Sequence, residues 1–172
     1  PPEVATRGRA ARPRLGAEAE RALVRVMLLF RGRIESVTES LGRLEEEYAA
    51  TDAVAGDLPD DVPAGLRDPR LIAIHQSLLD QGSEADLGQI ADLLPAEAIP
   101  VLESLVADPD GIVDVDATVA DSLDRLRLRW RQERIAALKA ALGAPAPLDY
   151  AAVTAELMRL KREMIGLTAT RR

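Results

Sequence analysis

The sequence predicts an all-α protein, a small helical bundle followed by a long antiparallel helical hairpin. Two observations carry that class. Hydrophobic residues make up 47% of the 172-residue chain but aromatics only 2%, and a core of Ala, Leu, Val and Ile suits helix packing better than strands, which favour aromatic and β-branched side chains. Apolar residues also recur at helical spacing in successive segments, with Pro, Gly and Asp standing where helices start and stop.

The first sixteen residues, PPEVATRGRAARPRLG, mix Pro, Gly, Ala and Arg without apolar periodicity and read as a basic Pro/Arg-rich linker. The chain opens on Pro1-Pro2 rather than Met, which reads as a piece of something larger. A first helix is expected from Ala17, where Ala19, Ala22, Leu23, Val26, Met27 and Phe30 share one face. Gly32 loosens the chain, and a second stripe follows at Ile34, Val37, Leu41, Leu44 and Tyr48, spaced 3, 4, 3 and 4. Residues 49–67, AATDAVAGDLPDDVPAGLR, lose that rhythm and read as a long acidic loop.

The next stretch, DPRLIAIHQSLLDQGSEADLGQIADLL over 68–94, is strongly punctuated. Asp68 is placed to N-cap a helix with Pro69 in its first turn, and Gly82 to end it. Leu71, Ile74 and Leu78, with Ile72 and Leu79, form the expected apolar face. Asp86 and Gln89 have capping-box spacing, and Leu87, Ile90, Leu93 and Leu94 are expected to point inward. A fifth helix opens near Pro95 or Pro100 and carries Ile99, Leu102 and Leu105.

After the turn-rich DPDGIVDVD, 108–116, the chain runs from about Asp116 or Thr118 to Leu142 without Pro or Gly, a helix of roughly 40 Å. Val119, Leu123, Leu126 and Trp130 keep one seam, and Ile135, Leu138 and Leu142 require a shift of face. The first half is expected against the bundle and the second against a partner helix. Gly143 and the prolines after it end the helix. Asp149 then caps a last one, with Val153, Leu157, Leu160, Met164 and Leu167 on one side. Two long helices around a short polar loop make a hairpin. The expected organisation is a linker over 1–16, a bundle over 17–115 and a hairpin over 116–172.

Charge narrows the function. The linker is net +3 and the remainder net −10; an acidic body repels phosphates, which disfavours strong direct nucleic-acid binding. No apolar run approaches the roughly 20 residues needed to cross a bilayer, and the absence of Cys fits a cytoplasmic protein. No P-loop occurs, and the only lysines are Lys139 and Lys161. His75, the single histidine, reads as a packed side chain, because a lone His without Cys is poor metal chemistry. Asp108, Asp110, Asp114 and Asp116 around Gly111 resemble a calcium loop superficially. Aligning Gly111 to the loop glycine, however, puts Val106 and Ala117 where oxygen ligands are required, so these aspartates read as turn formers and caps. No catalytic residues, metal site or cofactor are expected.

The segments AERALVRVMLL (19–29) and LRDPRLIAIHQSLLDQGSEADLGQIADLL (66–94), then a long helix and a final hairpin helix, resemble the C-terminal domain of bacterial DnaG-type DNA primases. The resemblance covers about residues 17–167. Two departures stand out: His75 occupies a position that the family fills with Phe or another large apolar residue, and the 49–65 connection is longer than usual. The resemblance implies a non-catalytic module that docks primase on the N-terminal collar of the hexameric DnaB-type replicative helicase. Residues 1–16 would then tether it to a catalytic domain and raise that domain's local concentration at the fork. The helicase's own N-terminal domain is similar and gives one alternative. Self-association of the hairpin through the 119–167 seam gives the other.

On the last helix, Met158 and Ile165 lie seven apart on a second stripe, bordered by Arg159, Lys161 and Arg162. An apolar strip with basic flanks fits a partner groove, and Met adapts to imperfect surfaces. These five residues are the expected helicase-binding surface. The competing expectation is that Met158 and Ile165 only broaden the core stripe.

Overall fold

The computed structural model describes residues 16–52, 63–107, 111–143 and 149–170. Among them are seven helices and no strand: α1 (Ala17–Leu29), α2 (Ile34–Asp52), α3 (Pro69–Gln81), α4 (Leu87–Asp92), α5 (Ile99–Val106), α6 (Val115–Leu142) and α7 (Tyr150–Thr170). A single 3-10 turn at Arg31–Arg33 joins α1 to α2 around Gly32. The chain is all-α, as the composition and periodicity predict. Most of the linker (1–15), the centre of the acidic segment (53–62), Asp108 and Asp110, and the 144–148 connection lie outside the described residues.

The core is built around α1, which packs against α2, α3, α5 and α6. A helix surrounded in this way needs apolar groups on several sides, and Leu23, Val24, Val26, Met27 and Leu28 are all buried. The single stripe expected for α1 is therefore too narrow. Its last member, Phe30, lies beyond the helix as the C-cap, half-buried, with its N–H bonded to the Val26 carbonyl at 2.8 Å. Burying each large aliphatic side chain contributes roughly 1.5–3 kcal/mol. The α2 stripe of Ile34, Val37, Leu41, Leu44 and Tyr48 is buried throughout. This helix runs on to Asp52, four residues into the segment expected as loop: Ala49-Ala50 favours helix, and no Pro or Gly intervenes before that point.

The punctuation of α3 and α4 matches its chemistry. Asp68 Oδ1 accepts from the Arg70 N–H at 3.0 Å, with Pro69 in the first turn. Gly82 ends α3 at φ 78°, in the left-handed region that glycine tolerates. Asp86 and Gln89 form the reciprocal capping box, each side chain accepting from the other's backbone N–H. The apolar faces differ from expectation. Leu71, Ile74 and Leu78 are buried, but Ile72 and Leu79 are exposed, because the first three already fill the side of α3 that meets the core. On six-residue α4 only Ile90 is fully buried; Leu87 and Leu93, expected inward, are exposed on either side of it, and Leu94 packs partly against the core.

Asp114 N-caps α6, accepting from the Ala117 N–H at 2.9 Å, and Asp116 pairs with Arg33 at 3.0 Å. The expected shift of face is present: Ser122, Leu123, Leu126, Arg129 and Trp130 are buried in the first half and Arg134 and Leu138 in the second, with Ile135 and Leu142 packed partly against the core.

Candidate interaction surface

The outward face of α7 begins with its cap. Asp149 Oδ1 accepts from the N–H groups of Ala151 and Ala152, both at 3.1 Å, which starts the helix; its rotation on α6 follows from the side chains it buries there. Val153, Leu157 and Leu160 are buried against the core and Met164 is half-buried; the side chain of Leu167 lies outside the described set. Between the apolar positions sits Glu156, buried and accepting from Arg134 Nε of α6 at 3.1 Å. Glu163 pairs with Arg131 of α6 at 3.3 Å. The two pairs, 134 with 156 and 131 with 163, run in opposite directions along the two helices.

This rotation leaves Met158 52% and Ile165 68% exposed. The structure therefore places both on the surface and not in a broadened core. Around them, Arg159 bonds Glu163 at 2.8 Å within α7, Arg162 Nε donates to the Met158 carbonyl at 3.3 Å, and Lys161 is exposed. Exposed pairs of this kind hold little free energy, about 0–1 kcal/mol, so these guanidinium groups can exchange partners. Tyr150, 52% exposed at the start of α7, is a further exposed apolar group that sequence reasoning missed; eight residues before Met158, it lies about 80° round the helix from that side chain.

A second polar constellation went unread. Arg129, 2% exposed on α6, donates through NH1 to Glu20 of α1, itself 3% exposed. Its NH2 donates to the carbonyls of Ala64 and Gly65 at 2.9 and 2.5 Å. Glu20 Oε2 accepts from the N–H groups of Arg67 and Asp68 at 2.8 and 3.0 Å, and Glu45 of α2 accepts from those of Ala64 and Gly65 at 3.0 and 2.7 Å. Three helices thus satisfy both donors and acceptors of the strap from Pro63 to Asp68, which has no regular structure of its own. Gly16 closes the assembly. It has φ 88°, and a Cβ there would lie 2.9 Å from both Cδ and NH1 of Arg129. The signal available in sequence was charge at positions that helical spacing assigns to the core. Glu20 sits three residues before Leu23 and seven before Met27, and Arg134 sits four after Trp130 and four before Leu138.

A cleft of about 970 Å³ opens beside this network, lined by Glu20, Arg21, Arg67, Arg70, Arg129 and Glu133 among others. Its charges are largely committed to one another. Arg67 makes a bidentate contact to Glu133 at 2.7 and 2.8 Å, and Arg70 another to Asp68 at 2.9 and 2.6 Å. The Arg70 guanidinium, helped by the cap, holds the Asp68 carboxyl below its usual range, against the opposing effect of partial burial. His75 is half-buried, its Nε2 2.8 Å from the Thr38 hydroxyl, and burial lowers its pKa. Among the described residues no group of three His, Cys, Asp or Glu side chains comes together as a metal site, and no helix is long and apolar enough to cross a membrane. No protein-family model, curated protein or solved structure matches the chain.

Proposed function

We propose that this chain is a non-catalytic docking module of a bacterial replicative DNA primase, working in the cytoplasm by holding primase on the hexameric DnaB-type helicase. The resemblance of residues 19–29 and 66–94 to the primase C-terminal domain supports the family. The observation that carries the mode of action is the exposed strip of Met158 and Ile165, flanked by Arg159, Lys161 and Arg162. A helix that has spent its Val153, Leu157 and Leu160 side on α6 retains an apolar, basic outer side, the form of a helix laid into a partner's groove. Bundle and hairpin then divide the work, the bundle anchoring α6 and the hairpin presenting α7.

Titration calorimetry of the chain against the cognate helicase hexamer tests this reading. Saturable binding is expected, and Met158→Glu, Ile165→Glu and Arg162→Glu should each weaken it by about tenfold or more, which is about 1.4 kcal/mol. Helical circular dichroism should not change, because these side chains lie outside the core. Undiminished affinity in all three variants would remove the α7 surface, and no binding by a folded wild-type chain would remove the function.

A further inference from the structure

Charge is segregated along this chain. Residues 71–124 contain twelve Asp and Glu and no Lys or Arg, whereas residues 125–172 contain eleven Lys and Arg against four Asp and Glu. The exposed large hydrophobic side chains divide the same way. Ile72, Leu79, Leu87, Leu93 and Val113 fall within the acidic stretch, and Tyr150, Met158 and Ile165 all belong to α7.

Ile72 and Leu79 lie seven residues apart on α3, on the opposite side of the helix from Ser77, whose hydroxyl bonds the Ile90 carbonyl of α4 at 3.1 Å. They therefore face away from the α3–α4 seam. Asp80, adjacent to Leu79, is exposed, with Gln76 donating to it at 3.0 Å. Met158 and Ile165 repeat the seven-residue spacing on α7, beside exposed Lys161 and Arg162. Isolated surface leucines are ordinary. Two apolar strips of equal length with opposite charged borders are complementary, and such surfaces steer their own encounter.

We propose that the α3 strip of one copy receives the α7 strip of a second copy. The two surfaces differ, so the contact is head-to-tail and leaves one strip free at each end, which permits further copies to add. The inference concerns the chain alone and does not rest on the helicase reading. If both hold, helicase and second copy compete for α7.

Sedimentation equilibrium of the full 172-residue chain tests it. The weight-average mass should rise with concentration. It should fall when ionic strength is raised from about 0.01 to 0.1 M, which shortens the Debye length from about 30 to 10 Å. Two double variants separate the surfaces: Ile72→Lys with Leu79→Lys on α3, and Met158→Glu with Ile165→Glu on α7. Each alone should be monomeric with wild-type helicity. Mixed, they should form a one-to-one pair that does not grow, because each supplies the strip the other lacks. A wild-type chain that stays monomeric overturns the proposal, and so does a mixture that stays monomeric. Association lost in the α7 variant but intact in the α3 variant also overturns it, since the contact would then be α7 with α7. Helicase binding is read separately, and the α3 variant should retain it.

Discussion

Arg129 of α6 and Glu20 of α1 form an ion pair sealed from solvent, 109 residues apart in sequence, and both side chains also bond the backbone of the 63–68 strap. The pair fixes how α6 lies on α1. It therefore also sets the platform on which α7 rests. A buried charge pair is weak evidence of net stabilisation, because desolvation offsets much of the attraction, but removing one partner leaves an uncompensated charge. Arg129→Met should accordingly destabilise the fold by about 3–5 kcal/mol, read as a shift in the urea unfolding midpoint. Arg129→Lys should not restore it, since one ammonium cannot serve Glu20 and two carbonyls in the guanidinium geometry.

Glycine substitutions should separate by position. Gly16→Ala forces a side chain into φ 88° and against the Arg129 side chain, and should cost about 1–2 kcal/mol or more. Gly42→Ala lies in the interior of α2, where a Cβ would meet nothing within 4 Å, and should stabilise by about 0.8–1.0 kcal/mol. Thermal unfolding of the two variants beside wild type checks both signs.

Tyr48 stacks on Trp130 with ring centroids 3.9 Å apart and planes at 19°, joining α2 to α6. Its hydroxyl is buried without a hydrogen-bond partner, and burial raises its pKa. Tyr48→Phe keeps the stack and removes the unsatisfied group, so stability should stay within about 0.5 kcal/mol of wild type or rise slightly. Tyr48→Ala should cost about 3–5 kcal/mol. Trp130 is the only tryptophan, so its fluorescence and near-ultraviolet dichroism report directly on this contact.

Acid should weaken the fold in two steps. The His75 pKa is lowered from 6.5 by burial, so the unfolded chain binds a proton more readily. Stability from this residue is complete above pH 6.5 and is lost as pH falls through the folded value. Asp68 is lowered from 3.8 chiefly by Arg70, and its contribution, present above that value, is lost at more acidic pH. His75→Phe should abolish the first step and leave the second; Asp68→Ala should abolish the second and cost about 1 kcal/mol at neutral pH through loss of the cap. Unfolding midpoints measured from pH 7 to pH 3 would distinguish them.

Most of the fold was legible because its signals are local. Asp68 with Pro69, Asp86 with Gln89, Asp149 and Gly82 each act within one helical turn, and the α2 stripe needs only the 3.6-residue period to be read. Met158 and Ile165 were legible for a related reason: once Val153, Leu157 and Leu160 claim one side of α7, the other side must face outward. Two neighbouring inferences failed. Ile72, Leu79, Leu87 and Leu93 look like core by type, but whether a second apolar stripe is covered depends on which helices arrive beside it.

By itself the sequence determined the all-α class, the caps that start α3, α4 and α7, and the apolar stripe of α2 that turns inward, since each follows from contacts between residues a few positions apart. Only the tertiary structure decided that α1 is enclosed on several sides. It alone brought Glu20 and Arg129 together over the 63–68 strap, paired Arg134 of α6 with Glu156, and left α3 an uncovered apolar strip. Those outcomes depend on partners distant in the chain. A charged residue at a core position is tolerable only once its counter-charge is known to be there.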